Sequence, residues 1–184
     1  MDEIVKAALL KWPQVPHCYD WLALDARGCW YMRDERIQAR GPFPQVKGSR
    51  IEHPKLLAFI ERNYEHDAHG AWFFQNGPQR VYLQLEAAPW VWRLCVQGSG
   101  WAVTSHTGVP AEVKGCWLDD EGRVYLDTNI GFGLVHTQDV GVAADAVEAG
   151  AWSPQTMRFE AMPGRFGYVL KPQPAASAKT QDED

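Results

Sequence analysis

Two carboxylates stand where acid–base chemistry could be done. Glu86 closes the apolar run Val81-Tyr-Leu-Gln-Leu85, and Glu160 lies within Met157-Arg-Phe-Glu160-Ala161. A carboxylate at the end of an apolar strand can lose enough water to exchange a proton near neutral pH. The competing reading is a strand-end acid that binds loop amides or pairs with Arg80 or Arg93. It is the favoured one, because structural ion pairs perturb carboxylates as often as catalysis does. Thr128 and Asn129, ahead of Gly131-Phe-Gly133, bring together a hydroxyl, an amide and a glycine backbone that a small molecule could approach. The same residues would equally serve as an Asx-type turn ending a strand. Gly131-Phe-Gly133 lacks the strand, glycine loop and helix of a nucleotide-binding fingerprint.

Other reactive side chains form no constellation. His66 and His69 are three apart but fall where a helix is ending, with no third ligand near in sequence, so no metal site is predicted. His17 and Cys18 are neighbours in an extended chain and point to opposite sides. Ser99 and Ser105 lack the Gly-x-Ser-x-Gly context of a hydrolase nucleophile. Cys18, Cys29, Cys95 and Cys116 have no metal-ligand spacing and read as thiols of a reducing compartment. No cofactor is indicated. Nine tryptophans are the compositional excess, and Trp90 and Trp92 fall on one face of a strand, opposite Val91. That face is either core or an exposed aromatic platform for a peptide or small molecule.

The elements that must position these residues are mostly strands. A phrase repeats: Asp25-Ala-Arg-Gly28-Cys-Trp30-Tyr31, Asp67-Ala-His-Gly70-Ala-Trp72-Phe73 and the looser Asp119-Asp-Glu-Gly122-Arg-Val-Tyr125. Aspartate opening a turn can bind amides ahead of it and glycine three residues on takes positive φ, so each phrase predicts a hairpin entering an aromatic strand. Ile4, Val5, Ala8, Leu9 and Trp12 predict a docking helix that stops at Pro13. Pro54, Leu56, Leu57, Ile60 and Tyr64 predict a helix over 54–65 with Glu61 and Arg62 outside. Residues 36–38 read as extended and 71–104 as one antiparallel meander. Residues 140–149 fit a helix or an edge strand, and 157–161 with 166–170 read as a last strand pair.

The 184 residues, 46% of them hydrophobic, suffice for a sizeable core. A net charge of −5 with mixed signs gives no footprint for nucleic acid or an anionic membrane. Apolar runs are interrupted too often to span a bilayer, and the acidic start Met1-Asp-Glu lacks the pattern of a secretion signal, so a cytoplasmic location is expected.

Several phrases together resemble a family of uncharacterised proteobacterial proteins, the domain-of-unknown-function family 1285. They are Gly28-Cys-Trp30, Gly48-Ser-Arg-Ile51 before the Leu56-Leu57 helix, Asp67-x-x-Gly70-Ala-Trp72 and Val81-x-Leu-x-Leu-Glu86-Ala-Ala-Pro89. Thr128-Asn129-Ile130-Gly131-Phe132 and Phe159-Glu160-Ala161 with Arg165 continue the likeness, which runs from about Trp21 to Leu170. Phe132 stands where the family has an acid, and 32–47 looks inserted. The resemblance implies an α+β protein of two consecutive, similar subdomains, each a curled antiparallel sheet with a packing helix. It implies no activity, since the family has none assigned; its context suggests signalling or regulation.

The division expected is a first subdomain over 1–104, a second over 105–170 and a disordered tail over 171–184. The leading functional expectation is a non-catalytic module binding a small molecule or a protein near the subdomain junction, where Glu86, Thr128, Asn129, Gly131 and Glu160 would converge. The alternatives are an enzyme using Glu86 or Glu160 as acid or base, and a self-associating interaction protein; a homodimer is left open.

Overall fold

The computed structural model describes residues 1–174 and is an α+β structure with two sheets. The first sheet holds β1 (Cys18–Leu24), β2 (Trp30–Met32), β3 (Ser49–Arg50), β4 (Tyr64–His66), β5 (Trp72–Asn76) and β6 (Gln79–Leu85) in the order β3-β2-β1-β6-β5-β4. The second holds β7 (Trp90–Gln97), β8 (Gly100–Ser105), β9 (Pro110–Ala111), β10 (Val113–Leu118), β11 (Val124–Thr128), β12 (Gly131–Val135) and β13 (Pro154–Thr156) in the order β13-β10-β11-β12-β7-β8-β9. Each sheet is two antiparallel meanders joined at the centre by a parallel pair, β1 with β6 and β7 with β12. Apart from β13, added parallel to β10 at the edge, the two topologies are the same. The helices are α1 (Glu3–Lys11), α2 (Glu35–Arg40), α3 (Pro54–Arg62), α4 (Val140–Glu148) and α5 (Met162–Phe166).

The repeated phrase makes three turns of one chemistry. In each, one aspartate oxygen accepts from the amides two and four residues ahead: Arg27 and Cys29 onto Asp25, His69 and Ala71 onto Asp67, Glu121 and Arg123 onto Asp119, all at 2.8–3.0 Å. The other oxygen accepts from a tyrosine hydroxyl at 3.1–3.2 Å: Tyr31, Tyr82 and Tyr125 respectively. Asp67 has Phe73 where the other two turns have tyrosine, and Tyr82, the register partner of Phe73 on β6, supplies the hydroxyl.

Several expectations are corrected. Residues 36–38 belong to α2, because Asp34 caps it by accepting from the Ile37 amide at 3.0 Å. The helix predicted over 54–65 ends at Arg62, and Tyr64 opens β4. Glu61 is half-buried, and burial raises its pKa. The meander over 71–104 is split, since β7 and β8 are bonded into the second sheet; the sheets part at 86–89, not at 104/105. Residues 140–148 are helical. The last strand pair is absent: 159–161 form a 3-10 turn and Pro163, which has no N–H for a ladder, sits in the first turn of α5. Of the tail expected from residue 171, positions 175–184 lie outside the described residues.

The sheets meet across an aromatic seam. Trp72 of the first packs edge-on against Trp90 of the second, with ring centroids 5.2 Å apart, and Tyr64 contacts Trp30, Trp72 and Trp90. Such contacts add roughly 0.5–1.5 kcal/mol each beyond the area they bury. The chain crosses through buried residues 87–89, whose carbonyls are bonded by two buried phenols, Tyr168 to Ala87 O (3.0 Å) and Tyr64 to Pro89 O (2.8 Å). The segment after α5 then returns to the first sheet, with Val169 N–H bonding Gly70 O (3.1 Å) and Leu85 N–H bonding Leu170 O (2.8 Å).

Gly70 makes that return possible. A Cβ there would lie 2.0 Å from Gly167 O, whereas a Cβ at Gly122, with the same positive φ in the same kind of turn, would meet nothing within 4 Å. In urea denaturation Gly122→Ala is expected to cost about 1 kcal/mol, the left-handed penalty alone. Gly70→Ala should cost at least about 1 kcal/mol more than that, by displacing the returning segment; equal losses would refute the docking role.

Candidate functional site

Glu86 follows β6 and turns back onto the first hairpin. Its N–H donates to Leu24 O (3.0 Å), and its carboxylate accepts from the Ala26 amide (3.1 Å) and pairs with Lys47 Nζ (3.2 Å). Lys47 Nζ is also 2.9 Å from the buried carboxylate of Asp25. Burial pushes the pKa of Asp25 up, but the Cys29 amide, Lys47 and the Arg27 amide outweigh it and hold the carboxyl below its ordinary range. Burial likewise opposes the charge on Lys47, yet Asp25 and Glu86 raise its pKa overall. Glu86 is thus a strand-end acid bound to a loop amide and a cation. That cation is Lys47, because Arg93 pairs with Asp139 at 2.6 Å and Arg80 lies over the Phe73 ring.

Thr128 and Asn129 make a turn. Thr128 Oγ1 donates to Gly131 O (2.8 Å) and accepts from Ile130 N–H (3.2 Å). Asn129 exchanges two bonds with the backbone of Glu112, at 3.0 and 2.9 Å, and Gly131 opens β12. Glu160 is exposed, with Arg158 3.5 Å away. The structure does not gather Glu86, Thr128, Asn129, Gly131 and Glu160 into one hydrogen-bonded site; the turn residues and the two acids are satisfied separately. The aromatic platform is also corrected: Trp90 and Trp92 are buried, their indole N–H groups donating to Ile130 O (3.0 Å) and Leu126 O (3.2 Å). The pair faces the core because the first sheet and the β11–β12 hairpin cover it.

A different concavity stands open. It is an apolar groove of about 300 Å³ between α3 and a face of the first sheet. Leu22, Ile60 and Phe74 form its buried floor, Leu56 and Phe59 its helical wall, and half-exposed Trp21 and Met32 its mouth. Asn76 and Gln79 bring polar atoms to one end. An irregularity in β1 shapes it: the five residues Cys18 to Leu22 are matched by three on β6, Val81 to Leu83. Asp20 absorbs the excess at φ +66°, a conformation that aspartate tolerates better than most side chains, and the Gln84 amide donates to its carboxylate. The bulge breaks strict alternation, so Trp21 and Leu22 both line the groove. Among the described residues no cluster of three metal-ligating side chains occurs and no helix is long and apolar enough to cross a membrane.

A duplicated α+β sheet pair with an apolar groove beneath one helix is the class of protein these features define. The family model described as "Protein of unknown function (DUF2946)" matches residues 1–173, and the chain belongs to that family. No curated protein matches it. Among solved structures it is similar to a DUF1285 family protein from Silicibacter pomeroyi DSS-3, at 13% identity and a TM-score of 0.48 over 79% of this chain and 84% of that one. It is also similar to a DUF1285 family protein from Shewanella baltica OS155, at 17% identity and a TM-score of 0.47 over 68% and 91% of the two chains. The distant resemblance read from the sequence is to this same family.

Sequence reasoning missed Trp21, Met32, Phe59 and Lys47. The helical stripe pointed to the α3 wall, but nothing in the alternation of Cys18-Tyr-Asp-Trp-Leu22 announces a bulge, and Lys47 lay in the stretch set aside as an insertion. Sequence reasoning also missed His106, which no motif of the sequence singles out. Its Nδ1 accepts from Val91 N–H (3.2 Å), so the proton is assigned to Nε2, which lies shielded among the rings of Trp30, Tyr64 and Trp90. Desolvation pushes its pKa down to about 3, the charge of Asp25 opposing this only in part. The unfolded chain therefore binds a proton that the folded one refuses between about pH 6.5 and 3, and stability falls as pH drops through that window. Urea midpoints at pH 7 and pH 4.5 should show His106→Leu losing less stability on acidification than the parent, by up to about 1.4 kcal/mol per pH unit. An identical slope in both proteins would remove His106 from the account.

Proposed function

We propose that this chain is a non-catalytic binding module whose ligand is a small, largely apolar molecule seated between α3 and the first sheet. The groove carries this reading: its volume, about 300 Å³, is at the small end of ligand pockets, and its lining is apolar with a few polar atoms at one end. A partner helix, about 10–12 Å across, is too bulky for such a seat. The carboxylates considered for acid–base work do not line it. Glu86 is held by Lys47 and an amide, and Glu160 stands in solvent, so neither has the concave, desolvated setting of a proton-transfer group. A regulatory role fits a site formed where a helix rests on a sheet, since ligand uptake there adds packing to α3.

Decanol is a suitable probe. A ligand that binds only the folded state raises the unfolding midpoint, by roughly 2.7 kcal/mol of stabilisation at a hundredfold excess over Kd. Decanol should raise the midpoint of the parent and leave Val81→Phe, whose larger side chain fills the groove, unshifted. The variant's own midpoint without ligand reports whether it folds. An equal shift in both proteins, or none in the parent, would refute the groove as the seat.

A further inference from the structure

On the strand next to the groove's edge lies a second, polar cleft of about 480 Å³, lined by Arg40, Gln45, Lys47 and Ser49 among others. Met32, at the mouth of the groove, is the register partner of Ser49 in the cleft. The loop forming the cleft lies tight on β2: a Cβ on Gly48 would be 2.5 Å from Met32 O and 3.1 Å from Arg33 Cγ. Over residues 33–50 five cations, Arg33, Arg36, Arg40, Lys47 and Arg50, stand against two acids, Asp34 and Glu35, in a chain of net charge −5.

Lys47 is neutralised by Asp25 and Glu86, but Arg33 has no such partner among the described residues. Its side chain is buried, at 2% exposure, under the cleft-forming loop. The guanidinium donates to Val46 O and, at 2.9 Å, to Gly41 O, while Nε has no hydrogen-bond partner. Carbonyl oxygens satisfy hydrogen bonds but carry no compensating net charge, and a buried cation without a counter-charge is costly. Burial accordingly lowers the pKa of Arg33, with Asp20 opposing in part. Exposed Arg40 adds a second positive charge at the cleft itself.

We propose that the ligand is an amphipathic anion, a medium-length alkyl or acyl chain lying in the groove with a terminal carboxylate or phosphate in the Arg40 cleft above Arg33. The inference rests on the groove being the binding seat and adds the chemistry of the head group. A chain leaving the groove past Met32 reaches the cleft across one strand pairing, and its anion meets Arg40 there, with the buried Arg33 guanidinium behind the Val46 carbonyl of the cleft wall.

Calorimetric titration of the full chain with decanol, decanoate and decyl phosphate tests this. At least one anion is expected to bind about tenfold tighter than decanol, the worth of one charge-assisted hydrogen bond. Arg40→Glu should bring the anions to parity with decanol or below while leaving decanol binding unchanged, and Arg40 is exposed enough for the variant to fold. The tighter of decanoate and decyl phosphate identifies the head group. Equal binding of decanol and both anions to the parent, or an anion preference that survives Arg40→Glu, would overturn the inference and leave the groove standing. Failure of all three probes to bind would overturn the groove itself.

Discussion

The structure depends on satisfying a short run of buried backbone. Residues 86–89 carry the chain out of one sheet and into the other, and 87–89 lie in the interior where water cannot bond their carbonyls. Two tyrosines do so instead, one from each flank: Tyr64 from the first sheet and Tyr168 from the segment that follows the second. Each phenol is held deep enough that burial raises its pKa far above the ordinary value, so it remains a donor at any working pH. The arrangement ties the end of the chain to its middle and makes the two sheets one body.

Around that crossing the same topology is laid down twice, with local devices that differ. The turns at Asp67 and Asp119 occupy equivalent places, between the fourth and fifth strands of their sheets, while that at Asp25 joins the first and second strands of the first sheet. Its counterpart in the second sheet, between β7 and β8, is a glycine-rich turn with no aspartate. The repetition of the phrase is therefore convergent in part. An aspartate that orders two amides and accepts a tyrosine hydroxyl makes a stable hairpin wherever an aromatic strand follows.

The Asp25 turn does more than close a hairpin. By drawing Lys47 between two carboxylates it anchors the basic segment that leads from α2 back to β3, and so places the polar cleft beside the apolar groove. The bulge at Asp20 plays the matching part on the other side, giving the groove its tryptophan rim at the expense of a left-handed aspartate and a gap in the β1–β6 ladder. Backbone irregularity next to a ligand seat is a common use of bulges, because a regular strand cannot present two neighbouring side chains to one face.

The sequence by itself determined the three aspartate turns and the α3 stripe, because these follow from local periodicity and turn stereochemistry, and its resemblance to family 1285 implied the α+β class. It did not reveal β12, whose Gly131-Phe-Gly-Leu-Val135 is short and glycine-rich and becomes the partner of β7 only when the second meander folds back. It left Trp90 and Trp92 undecided, since alternation says that they share a face and not what covers it. It suggested a meeting of Glu86, Thr128, Asn129 and Glu160, whereas the fold gives each its own bonding partners: the Ala26 amide and Lys47 for Glu86, the Gly131 carbonyl for Thr128, the Glu112 backbone for Asn129 and Arg158 for Glu160. The groove and its charged edge were decided by tertiary structure alone: one needs a helix laid across a bulged strand, the other a lysine brought to two acids 22 and 39 residues away in sequence. Pairings at such separations are selected by packing and charge in three dimensions, which no local pattern encodes.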